Sequence, residues 1–183
     1  MSELWPTADQ TVGPYYAIGM DYPGAEAIVA PGTPGAITLS GSVFDGAGDI
    51  VPDAVVELWQ PDPAGRIPAE PGSIVRRPGG FSGFGRTGSD DDGFFAFTTL
   101  RPGPATPGAA PCFSVAVFAR GLLSVLFTRI YLPVDDATMA ADPLLSRLAP
   151  ERRATLIATE VAGGLHHDIH LQGERETVFL AFR

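Results

Sequence analysis

The sequence predicts a mainly β fold, a β-sandwich carrying one short helix and an extended N-terminal arm. Three observations support that expectation. Glycine and proline, 22 and 18 of 183 residues, punctuate apolar runs without forming a repeat, as in short strands joined by tight turns. Between them, apolar residues alternate with period two or form short β-branched and aromatic stretches. The first 36 residues contain Pro6, Pro14, Pro23, Pro31 and Pro34 and hold no run able to form a core of their own, so they read as an arm that needs a surface to lie on.

Taken in order, Ile37 to Asp45 alternates, the stretch DGAGD turns, and Ala54 to Trp59 makes a second strand, giving a hairpin or Greek-key pair. Arg66 to Phe84 is rich in glycine and proline and reads as a long loop of the functional or interfacial kind. The acidic turn at Asp90 to Gly93 lacks the spaced carboxylates of a calcium loop. It leads into Phe94 to Leu100, with Phe95 and Phe97 on one face. Residues 112–119, 125–132, 166–172 and 176–182 bring the count to about seven strands. One helix is expected over Ala149 to Val161, with Pro150 in its first turn, Ala162-Gly163-Gly164 as the stop, and Leu156 and Ile157 on its apolar face.

A chain of this length is expected to be one domain. The lone Cys112 has no disulfide partner, and the N-terminus lacks the basic and apolar regions of an export signal, so a cytoplasmic protein is expected. No apolar run has membrane-spanning length. The net charge is −9 and there is no lysine, which argues against nucleic acid as a partner and leaves individual arginines to meet any anionic ligand. All three histidines fall in Leu165 to Gly173. On a strand, His166, Asp168 and His170 share a face, a facial set of nitrogen and oxygen donors. The duller reading is a solvent- or subunit-facing side opposite His167, Ile169 and Leu171.

Four blocks carry a resemblance: QTVGPYY (10–16), GSVFDGAGDIVPDAVVELWQPDPAGR (41–66), FGRTGSDDDGFFAFTTLRPG (84–103) and GERETVFLAF (173–182). In this order they resemble the intradiol ring-cleavage dioxygenases. That family implies a sandwich of mixed sheets, a non-haem ferric ion and oxygen-dependent cleavage of a catechol between its hydroxyl carbons. Its iron is held by two tyrosines and two histidines, phenolate oxygen being suited to hard ferric iron. Here Cys112 and Ser114 stand where the histidines belong and Ala105 where one tyrosine belongs. Ser73 is the nearest match for the other, in a stretch (66–83) without tyrosine.

The resemblance therefore implies no metal ligand and no catalytic residue in this chain. One branch of the family pairs an iron-bearing β chain with a similar, iron-free α chain, and residues 9–20, 117–123 and 152–161 resemble the α pattern. The implied assembly is an αβ unit repeated in a larger oligomer, with Fe(III) on the β subunit. Its implied reaction takes protocatechuate and O2 to 3-carboxy-cis,cis-muconate. Residues 1–36 would be interface and pocket wall, and residues 37–183 the sandwich. Thr11, Gly13, Pro14 and Tyr15 would line the substrate pocket, and Arg120 would meet the ring carboxylate. Glycine and proline let another surface approach closely, and a guanidinium clamps a carboxylate through two parallel hydrogen bonds. Two rivals differ in class: a non-enzymatic, prealbumin-like binding sandwich, and an enzyme acting alone with metal at His166, Asp168 and His170. Arg120 also has a bland reading, as a surface charge or structural ion pair.

Overall fold

The structure is a computed structural model and describes residues 10–13, 15–20, 22–68 and 80–181. Pro14 and Ser73 lie outside the described residues. In chain order the elements begin with helix α1 (Tyr15–Met20), β1 (Ala36–Phe44), β2 (Val55–Trp59), β3 (Phe84–Gly88) and β4 (Phe94–Leu100). They continue with β5 (Cys112–Phe118), β6 (Leu126–Tyr131), helix α2 (Asp136–Ala141), a 3-10 turn (Leu145–Arg147) and helix α3 (Pro150–Ala154). Strands β7 (Thr159–Val161), β8 (Gly164–His166) and β9 (Ile169–His170) follow.

These strands form two sheets. The first runs β4-β1-β8-β7, and it is mixed, because β1 is antiparallel to β4 but parallel to β8 and to β9 beyond it. The second runs β3-β2-β5-β6, antiparallel throughout. The expected mainly β sandwich of mixed sheets is the observed architecture. Period-two alternation explains the core: Leu39, Val43, Phe95 and Phe97 from the first sheet meet Val56, Leu58, Phe113, Val115 and Val117 from the second. Each of the large buried side chains contributes roughly 1.5–3 kcal/mol. Asp90 builds the turn before β4, its Oδ1 accepting from the Asp92 and Phe94 N–H groups.

Where β1 passes the 166–170 segment the two backbones touch. The His167 N–H donates to the Ser40 carbonyl at 2.8 Å, and a Cβ on Gly41 would lie 1.8 Å from the His167 carbonyl oxygen. Between β8 and β9 the Asp168 carboxylate accepts from the Ser42 N–H at 2.9 Å, so a side chain bridges the gap in the ladder.

Five local expectations differ from the structure. The expected helix stops at Ala154, because the Leu156 carbonyl accepts from Tyr131 N–H and Ala158 N–H donates back to Tyr131. That long-range pairing draws 156–158 into extended chain. Instead of one short helix there are three among the described residues, with a 3-10 turn besides. Residues 176–181 form no strand, being tied only by an isolated bridge between Phe127 and Leu180 and by side contacts such as Thr177 N–H to the His170 carbonyl. β3 adds a strand that the glycine-rich pattern concealed. Residues 15–20 are helical, not extended, in a stretch free of proline, and Ala25, Ile28 and Val29 are buried. Ile28 belongs to the main core, and its N–H donates to the Thr98 carbonyl. Among the described residues no helix is long and apolar enough to cross a membrane.

Candidate functional site

The N-terminal segment and the turn after β5 meet, although 110 residues separate them. Gly121, at φ 87°, lies in a turn closed by Leu122 N–H to the Ala119 carbonyl. Its own N–H donates to the Thr11 hydroxyl at 2.8 Å. Behind this link the Tyr16 ring packs 5.7 Å from Phe118, and Arg86 Nη1 donates to the Met20 carbonyl at the end of α1. Arg86 is held in turn by Glu57, its Nε donating at 2.9 Å. Thr11, Gly13, Tyr15 and Arg120 are thus gathered at one end of the second sheet.

That face is open. Tyr15 is 80 % exposed, Ile18 75 % and Leu123 60 %, and among the described residues nothing lies within 4 Å of where a Gly13 side chain would begin. Arg120 forms an ion pair with Asp53 through Nε, yet more than half of its side chain is exposed. Among the described residues the buried Tyr16 hydroxyl has no hydrogen-bond partner, and burial pushes its pKa upward. A cation, a hydroxyl and apolar side chains can bind and orient an anionic ring. Tyr16, Asp53 and Arg86 were not singled out in the sequence. Only the doubled tyrosine after Gly-Pro hinted at the first, since nothing local foretells pairing across strands.

A cavity of about 360 Å³ lies on the outer face of the second sheet, lined by Ala105, Cys112 and Ser114 together with Trp59, Ile67 and Arg129. The first three are the positions at which the resemblance places iron ligands. Their donor set does not suit ferric iron. Burial pushes the Cys112 thiol up to about 11, Ala105 offers no donor, and a guanidinium opposes any cation. The adjacent Tyr131 is wholly buried. Its hydroxyl accepts from Arg129 at 3.0 Å and donates to Asp142 at 3.2 Å. Burial raises its pKa to about 12, so it stays a neutral phenol.

The histidine strand faces as alternation requires: His167 and Ile169 are buried, and His166, Asp168 and His170 lie on the outer side. Asp168 serves the Ser42 N–H and also lies 3.1 Å from His166 Nε2, while His170 stacks on Phe44 at 5.0 Å. Among the described residues no three histidine, cysteine, aspartate or glutamate side chains converge on a point that would hold a metal ion.

Comparison with known proteins gives a consistent picture. A family model described as dioxygenase matches residues 12–115. The chain is 40 % identical to the protocatechuate 3,4-dioxygenase alpha chain of Burkholderia cepacia and 37 % identical to that of Pseudomonas putida, each over 98 % of both chains. It is 30 % identical to the beta chain from B. cepacia over 77 % of this chain and 66 % of that one. Among solved structures, the dioxygenase domain of a carbohydrate-binding fusion protein from Streptomyces sp. SirexAA-E aligns with TM-score 0.59 at 27 % identity, covering 92 % of this chain and 99 % of that one. Catechol 1,2-dioxygenase from Pseudomonas arvilla C-1 shares the fold, with TM-score 0.57 at 20 % identity over 80 % of this chain and 55 % of its own.

Proposed function

This chain belongs to the intradiol dioxygenase family that contains the alpha and beta chains of protocatechuate 3,4-dioxygenase, and we propose that it is the iron-free alpha subunit of such an enzyme. The observation that carries this reading is the contrast at the cavity floor. Similarity to alpha chains extends over 98 % of the sequence, while the positions expected to hold iron carry Ala105, Cys112 and Ser114 beside Arg129. In this reading a homologous beta subunit holds Fe(III), which supplies the oxygen chemistry. The joint product is 3-carboxy-cis,cis-muconate, formed in the cytoplasm by αβ units assembled into a larger oligomer.

This chain's own part is binding and enclosure. Thr11 fixes the turn that carries Arg120 through the Gly121 N–H, so the guanidinium faces the same open surface as Gly13 and Tyr15. With its Nε on Asp53, Arg120 turns its remaining donors to the carboxylate of protocatechuate. Docking against the beta subunit then buries Tyr15, Ile18 and Leu123, excludes water and strengthens that charge pair. The test is iron content and protocatechuate-dependent oxygen uptake of the purified chain, alone and after co-expression with a homologous beta chain. Colourless, inactive protein that becomes coloured and active only in the complex is the expected result. Stoichiometric iron and turnover in the isolated chain would overturn the reading, and inactivity in both preparations would favour a binding module.

A further inference from the structure

The strand register of the second sheet builds a row of side chains that the shared-site reading leaves unused. Phe84 on β3, Trp59 on β2, Ser114 on β5 and Arg129 on β6 are successive cross-strand partners, so they share one face. Adjacent strands are about 4.8 Å apart, which separates the Trp59 and Arg129 backbones by about 10 Å. Trp59 is 54 % exposed and backed by the Phe84 ring at 4.3 Å. Arg129 is half-buried at the other end, and among the described residues it has no ion-pair partner and donates only to the Tyr131 hydroxyl. The nearby Asp142 carboxylate is occupied, accepting from the Ala110, Leu144 and Leu145 N–H groups as well as from Tyr131.

We infer that this cavity binds a small aryl carboxylate, its ring against Trp59 and its carboxylate on the Arg129 guanidinium, in a site that works without metal. A half-buried guanidinium with open donors gains most from an anion that accepts two parallel hydrogen bonds. The exposed indole, in a lining that also includes Ile67 and Pro68, suits a flat apolar ring. The volume of about 360 Å³ lies within the range of small-ligand pockets. Ser114, midway along the row, orients the ligand by its hydroxyl.

The test uses the full-length chain carrying Trp5→Phe, which leaves Trp59 as the sole tryptophan, titrated with benzoate by calorimetry and by intrinsic fluorescence. One saturable site with a change in Trp59 emission is expected, with the uncharged analogue benzyl alcohol binding at least about tenfold more weakly. Arg129→Leu should weaken benzoate by at least about tenfold. Ser114→Phe, which fills the cavity and leaves the bond between Arg129 and Tyr131 in place, should abolish the emission change. Thermal melts by circular dichroism establish that each variant folds, and if Arg129→Leu does not, benzyl alcohol and Ser114→Phe decide. Arg120→Ala should leave benzoate affinity unchanged, so this site and the shared one fail separately. No saturable binding, equal binding of benzyl alcohol, binding that survives Ser114→Phe, or binding that follows Arg120 overturns the inference.

Discussion

Arg120 and Asp53 form a pair exposed enough that it contributes about 0–1 kcal/mol to folding, so removing the arginine tests binding and not stability. In the complex, Arg120→Ala should raise KM for protocatechuate by about tenfold or more, with iron content unchanged. Steady-state kinetics beside metal analysis check this, and an unaltered KM would sink the assignment. His167 makes a separate prediction about pH. Burial, outweighing the Ile157 carbonyl that favours the charged ring, holds its pKa at about 4 against an ordinary 6.5. Between those values the unfolded chain binds a proton that the folded chain does not, so stability rises with pH. The full contribution is present above about pH 6.5, and about 3 kcal/mol is lost as pH falls through about 4. His167→Phe should flatten the fall in melting temperature between about pH 7 and pH 4.5; an unchanged slope would assign that fall to other groups.

At the scale of elements, contact with distant backbone decides what local preference leaves open. The α3 helix is stopped by Tyr131, which takes both backbone partners of the 156–158 segment. β1 receives β8 and β9 in parallel where Gly41 lets the His167 carbonyl approach and Gly164 lets the Thr38 carbonyl approach. Gly41→Ala should therefore separate the two segments and cost about 3 kcal/mol, read as a drop of roughly 6–12 °C in melting temperature. A fall of less than about 2 °C would mean that the β8 and β9 pairing is more compliant than this geometry implies. Alternation in β1 and β4 was legible in advance because each is half-buried and displays period two. β3, with mainly intermediate burial and two glycines, gave no such signal.

For the whole molecule, the exposed apolar side chains at α1 and the turn after β5 matter most. Ile18→Ser combined with Leu123→Ser removes apolar surface without touching the core, and such surface changes stay within about 0.5 kcal/mol of folding stability. The double variant should melt like the parent yet fail to co-purify stoichiometrically with the beta chain. Unimpaired complex formation by gel filtration would place the interface elsewhere. This chain's own net charge of −9 makes Arg120 a local exception in a negative field, so its effect on KM in the complex should grow at low ionic strength.

The sequence by itself determined the fold class and the family, because strand alternation and four ordered blocks are local patterns that survive on a one-dimensional string. It also determined which donor types stand at the expected iron positions, since side-chain chemistry follows from residue identity alone. The tertiary structure decided the rest. It joined Thr11 to Gly121, gave Arg120 its Asp53 partner, cut α3 short and aligned Trp59, Ser114 and Arg129 in one row. Each of these depends on strand register and loop closure between residues far apart in sequence, and the free energy that selects them resides in contacts no local window contains.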